Sequence, residues 1–283
     1  MTHFKKLFCG FFFIFILLGS ASSQNLLDYP NSIKYADYLF KTNQYNLASV
    51  EYERIVFLEP KDTLSKLKLI RTYRYLAEFK TALNRIKEFF PYSLNSVPEE
   101  FSDEYVRNTL YENQLQKASE FLQTNITLKI GLKTEYQLGI LIMQYQWTEA
   151  RRFADENIGI LDKTERFNKL NGIINEGLNT HYKSPFLAAS ISAIVPGGGK
   201  VYSGKLIDAI YSFLFVTSAA WLTYNSYHKN EFSFNSALIG SFALSFYSAN
   251  IYGSAKSAKR YNQNKNQFFR NQAEDILLND LKK

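Results

Sequence analysis

Cysteine is almost missing from this chain of 283 residues: the only one is Cys9, close to the N-terminus. It lies upstream of most of an apolar run, where a lipoprotein-processing cysteine would not sit. The mature protein is therefore expected to have no thiol, no disulfide and no Cys-ligated metal. Histidine is scarce too. His3, His181 and His228 are the full set, and no two of them have the spacing that lets a helix present a metal-binding pair. Acidic neighbours such as Glu51 with Glu53, or Glu99 with Glu100, lack the partner arrangement of a general acid and base. A phosphate loop is missing as well. Gly199-Lys200 looks like the end of one, but Ile194 stands where its first glycine belongs and Val201 follows the lysine in place of Ser or Thr. With no nucleophile, base or metal set converging, the sequence reads as non-enzymatic and free of cofactors.

The chain does have positive charge, aromatic residues and long apolar runs. A net charge of +7 allows acidic partners. By itself it does not separate lipid from nucleic acid; the apolar runs favour membrane lipid, with no nucleic acid among the partners. Aromatics make up 16% of the chain, more than a disordered segment would carry. The mean hydropathy of −0.24 averages a polar half with an apolar one.

Residues 1–23 read as an export signal. Lys5 and Lys6 form the basic end, Leu7 to Leu18 the apolar core, and Gly19 to Ser23 the small residues before a cut after Ser23. Such a core is short for a membrane span of about 20 residues. Export without disulfides suits a bacterial cell envelope.

Residues 24–160 carry a repeat. Ala48, Ala82, Ala118 and Ala150 are separated by 34, 36 and 32 residues, and each follows a large residue three positions earlier: Tyr45, Phe79, Leu115 and Trp147. Four positions beyond them come Tyr52, Ile86, Leu122 and Ala154. A small residue framed by bulky ones lets two antiparallel helices approach closely and lock against their neighbours. The fullest copy also has Ala36 and Leu39 on a first helix, a polar turn at 42–44 and a closing Pro60. The segment resembles the tetratricopeptide repeat, strongly in its first copy and weakly in its last two. The resemblance implies an all-α solenoid of helical hairpins whose concave groove binds a protein or peptide. Lys34, Tyr38, Lys41, Lys68, Arg71 and Arg74 are the expected groove residues, and the basic ones would suit an acidic peptide. The plainer alternative makes the repeats a docking wall for the chain's own C-terminal half.

Residues 161–183 read as a linker helix, 184–262 as a helical membrane domain and 263–283 as a basic polar tail. Ser184-Pro185 starts a helix that Pro196 and the glycines at 197–199 stop, too short to cross a bilayer core near 30 Å. Two runs follow, Leu206 to Asn225 and Phe234 to Gly253, each long enough to cross. Pro196, Gly197, Gly199, Tyr202 and Gly204, with the later Asn250 and Tyr252-Gly253, give a pattern similar to small two-span membrane domains of bacterial envelope proteins. That likeness implies a transmembrane helical hairpin and brings no reaction with it. Asp208 and Asn250 are polar residues placed to contact the turn or a facing helix.

The basic tail would lie in the cytoplasm by the positive-inside tendency, which requires Phe186 to Val195, extended through the glycines, to cross as well, whereas a cleaved signal and two spans return it to the periplasm. Both placements stand at this level. The chain is expected to be a scaffold at the bacterial inner membrane with its repeats in the periplasm. The alternative is a component of a transport or pore-forming assembly in which Asp208 and Asn250 line a path and the repeats regulate. Oligomeric state is not written in the sequence.

Overall fold

A computed structural model describes residues 28–92, 94–161, 164–230 and 234–278. The expected export signal, with Cys9, lies outside them. Among the described residues the chain is all-α, with fourteen helices and no strand. They fall into two compact units that divide between Leu128 and Lys129.

The first unit holds three helical hairpins: α1 (Tyr29–Lys41) with α2 (Tyr45–Leu58), α3 (Thr63–Tyr75) with α4 (Phe79–Phe89), and α5 (Glu99–Tyr111) with α6 (Leu115–Thr124). Asp28 and Asp62 cap α1 and α3, their carboxylates accepting N–H groups of the first turn that no helix carbonyl can reach. Each hairpin turns at one left-handed residue, Asn43, Ala77 or Asn113. After it the N–H of Gln44, Glu78 or Gln114 donates to the carbonyl five residues back, on Leu39, Tyr73 or Thr109. Ala48, Ala82 and Ala118 are fully buried, as are Tyr52, Ile86 and Leu122. The residues that open the second helices stack on the following hairpin: Tyr45 on Tyr75 at 4.9 Å and Phe79 on Tyr111 at 4.7 Å between ring centres. Asn125 closes the unit, its amide donating to the Asn95 carbonyl and Ser102 Oγ while its oxygen accepts the N–H groups of Thr127 and Leu128.

The second unit opens on a fourth hairpin, α7 (Ile130–Met143) and α8 (Trp147–Glu156), whose turn at Tyr145 has the same left-handed geometry. After the short α9 (Ile158–Leu161) comes α10 (Glu165–Leu178), then α11 (Pro185–Ile194), α12 (Gly198–Tyr202), α13 (Leu206–Asn230) and the 45-residue α14 (Phe234–Leu278).

Three expected boundaries shift, each through long-range packing. The division between units falls inside residues 24–160, because the fourth hairpin is covered by later helices and not left at the end of a single array. Residues 161–183, expected as a linker, contain α10, which buries Phe167, Leu170, Ile173 and Ile174 against α7 and α8. The expected polar tail continues α14, and Phe269, Ala273 and Leu277, spaced one turn apart, bury against α7 and α10. Leu277 rests on Gly139, where a Cβ would overlap its side chain, and Phe269 meets Trp147 edge to face at 5.1 Å.

The apolar runs differ from each other. Among the described residues α13 alone, over Leu206–Lys229, is long and apolar enough to cross a membrane. The expected second span is the first half of α14, which packs along α13. Asn235, Ser236, Ser241, Ser245, Ser248 and Asn250 dilute it below that threshold. The helix α11, at ten residues, is apolar but short.

Candidate functional site

The turn between α11 and α13 carries the densest set of buried polar contacts in the second unit. Ser184 caps α11 by accepting the Leu187 N–H, and Pro185 fits the first turn, where its missing N–H costs nothing. At the other end Gly197 takes a left-handed conformation, φ +84°, and a Cβ there would run into the Ala209 carbonyl of α13. At Gly199 a Cβ would overlap the Ala188 carbonyl of α11. The two glycines thus let the turn nest between two helix backbones.

Neutral hydrogen bonds tie this nest to α14. Asn250, 4% exposed, accepts the Gly197 N–H at 3.0 Å and donates its amide to the Ser192 carbonyl at 3.1 Å. The Gly199 N–H donates to Ser192 Oγ at 2.8 Å, Ser192 Oγ donates to Ser254 Oγ at 2.7 Å, and Ser254 Oγ donates to the Asn250 carbonyl at 2.9 Å. Tyr202 sits beneath, its hydroxyl accepting the Ser184 N–H while Lys183 lies over its ring. Each buried donor here meets an acceptor without using a full charge, which keeps desolvation cheap. Lys200 points into a cleft of about 340 Å³ between α13 and α14 and donates to Ser212 Oγ at 2.6 Å.

Asn250 and Asp208, the expected path residues, both line the cleft that Lys200 enters, but they are held differently. Both oxygen and nitrogen of Asn250 are spent on backbone. Asp208 is 55% exposed and pairs with Lys205 one turn away. Pro196 and Gly204 frame the turn, Gly204 in a second left-handed conformation.

The expected groove residues of the first unit also divide. Lys34, Tyr38 and Lys41 are exposed along one face of α1. Lys68 instead binds Asp37 through both carboxylate oxygens, at 2.6 and 2.8 Å. Arg71 and Arg74 converge on Glu104, and Arg74, 3% exposed, is part of the interior. These pairs join first helices of successive hairpins across 30 to 33 residues. In the second unit Arg166 of α10 reaches Glu135 of α7 across 31 residues in the same manner. Of the six, therefore, three remain an open surface and three hold hairpins together. The sequence signal for this was there to be found: residues of opposite charge, in either order, 30 to 33 positions apart on successive first helices.

Electrostatics follow the pairs. Burial and a hydrogen bond to Asp37 push the Tyr52 phenol well above its ordinary range, and burial with a bond to Glu53 does the same to Tyr73. Burial alone would raise the Asp62 carboxyl, but hydrogen bonds from Ser65, Tyr29 and the Leu64 N–H outweigh it and lower the pKa. Among the described residues no three His, Cys, Asp or Glu side chains come together as a metal site would need.

Comparison with protein-family models, with characterised proteins and with solved structures gives no match.

Proposed function

We propose that this chain is a non-enzymatic, membrane-anchored interaction protein of the bacterial envelope, in which tetratricopeptide-like hairpins bind a protein partner and a two-helix hairpin holds them at the inner membrane. The observation that carries the reading is the uncovered apolar surface of the second unit. Along α13, Ile207, Phe213, Leu214, Phe215, Trp221 and Leu222 are exposed, and Leu238, Phe242 and Leu244 continue that surface on α14. An apolar area of this extent is expensive in water and suits lipid. The fully buried polar side chains at the turn, Ser192, Ser203, Asn250 and Ser254, are neutral and paired, as a low-dielectric setting favours.

Partner binding is supported by the open face of α1, where Tyr38 at 58% exposure stands between Lys34 and Lys41. Aromatic and basic side chains on a rigid helical frame suit an acidic or amphipathic segment. Repeats in the periplasm follow from the expected export signal. The transport alternative is favoured by one observation, that Asp208 and Asn250 line a common cleft with Lys200, and is weakened by another, that Asn250 spends both its oxygen and its nitrogen on backbone groups.

Two measurements test the reading. After alkaline carbonate extraction of membranes, the full chain stays in the pellet; release to the supernatant would remove the anchor. Photo-crosslinking residues placed at Tyr38 and at Tyr92, which is 99% exposed in a loop, separate a binding face from mere exposure. One discrete adduct from position 38 and none from 92 is expected. Equal labelling from both would count against a groove.

A further inference from the structure

The base of the apolar hairpin carries a basic cavity that neither the turn nor the repeats use. On α14, Tyr252, Lys256, Lys259, Arg260 and Gln263 recur at the spacing of one helix face, and together with Pro185 of α11 they line a cavity of about 400 Å³. Among the described residues none of the three cations pairs with a carboxylate, in contrast to Lys68, Arg71, Arg74 and Arg85 of the first unit. No acidic side chain lines the cavity.

Its walls are fixed. The Lys183 N–H donates to Asn262 Oδ1 at 2.8 Å and Asn262 Nδ2 returns a bond to the Lys183 carbonyl at 2.8 Å, so the segment leading into α11 is fastened to α14 beside the basic face. The N-terminal end of α11, with its positive dipole, opens at the same place through Pro185.

Position along α14 sets the kind of anion. From Phe234 to Lys256 the helix rises about 33 Å, close to the roughly 30 Å of a hydrocarbon core. The cations thus begin where the apolar surface ends, next to exposed Tyr252 and Phe186. A soluble anion would gain nothing from those two aromatic groups; a phospholipid would place its phosphate among the cations and its glycerol and chains against them.

We infer that Lys256, Lys259 and Arg260 form a headgroup site for an anionic phospholipid, walled by the N-terminus of α11, that fixes the depth of α14 in the bilayer. The site rests on the membrane reading above and adds its lipid class and position.

The test uses the purified full chain in nanodiscs of phosphatidylcholine or of phosphatidylglycerol mixed with phosphatidylcholine, with bound lipid counted by native mass spectrometry after release. The wild type is expected to retain phosphatidylglycerol over phosphatidylcholine by roughly tenfold to a hundredfold, each cation contributing a few-fold. The variant K256Q/K259Q/R260Q should lose that preference while staying membrane-embedded and helical, and K256R/K259R/R260K should keep it. Equal retention of the two lipids by the wild type, or an unchanged preference in the glutamine variant, overturns the inference and leaves the anchor intact. Displacement of the lipid by inorganic phosphate assigns the cavity to a free anion and overturns it as well. Release of the wild type by carbonate removes the membrane reading, and the lipid site with it.

Discussion

The two units solve the same problem, burying polar groups between helices, with different chemistry. In the first unit the buried polar groups include, beside serines, threonines and asparagines, charged side chains held in pairs: Arg74 with Glu104, Arg107 with Asp103, and the half-buried Lys68 with Asp37. Around the glycine turn of the second they are serines and one asparagine: Ser192, Ser203, Asn250 and Ser254. An ion pair needs surrounding polarity to offset its desolvation, which a water-facing repeat supplies at its edges. Neutral hydroxyl and amide bonds make no such demand. The difference belongs to the glycine turn and not to the whole second unit, where Arg166 and the buried Glu135 make a pair like those of the repeats.

The strongest way to break that comparison is to remove Glu104. In Glu104→Ala, Arg74 becomes a buried cation without its counterion, which should cost about 3–5 kcal/mol. Peptide-resolved hydrogen exchange should show α3 to α5 opening while residues 184–262 keep their protection. Loosening of both units to the same degree would mean that they do not differ in what holds them.

Next comes Gly199→Ala, which sets a methyl group against the Ala188 carbonyl. Overpacking of this kind costs about 1–3 kcal/mol, read as faster exchange in α11 and α12 with α3 to α5 unchanged. Unaltered exchange there would show that the nest is looser than its contacts imply.

A smaller effect belongs to Asp62→Ala, which removes the cap of α3 and should cost about 1 kcal/mol. Because the folded carboxyl has a lowered pKa, its contribution is present above the unfolded value near 3.9 and is lost as pH falls through the folded one. The wild type should therefore converge on the variant in acid; a constant difference between them down to pH 2 would contradict the capping role. The smallest shift is alkaline. Tyr52 and Tyr73 have raised values in the fold, so their contribution is complete below the unfolded value near 10 and declines as pH rises above it. Tyr52→Phe with Tyr73→Phe should flatten the alkaline limb of stability for the first unit, and leave that of the second untouched.

Much of the helix layout is legible in the sequence because helices and their turns are local. The intervals between Ala48, Ala82, Ala118 and Ala150 reappear in the left-handed residues Asn43, Ala77, Asn113 and Tyr145, each five positions earlier. Pro185 and Ser184 announce the start of α11 for the same reason. The open or closed state of a charged side chain is less legible. Arg74 and Lys34 look alike in sequence, and only Glu104 thirty residues away makes the first an interior residue.

Taken alone, the sequence determined that the chain is helical, where most helices turn, and that an apolar stretch of spanning length follows a glycine turn, since each of these depends on residues within a turn or two of one another. Tertiary structure decided the rest. It placed residues 263–278 against α7 and α10, closed three of the six expected groove residues into ion pairs, and committed Asn250 to the turn. It also showed why the turn requires glycine: the atoms that exclude a Cβ at Gly197 and Gly199 belong to Ala209 and Ala188, on the helices that flank it. Which backbones lie that close is a result of packing, and no spacing rule within the turn contains it.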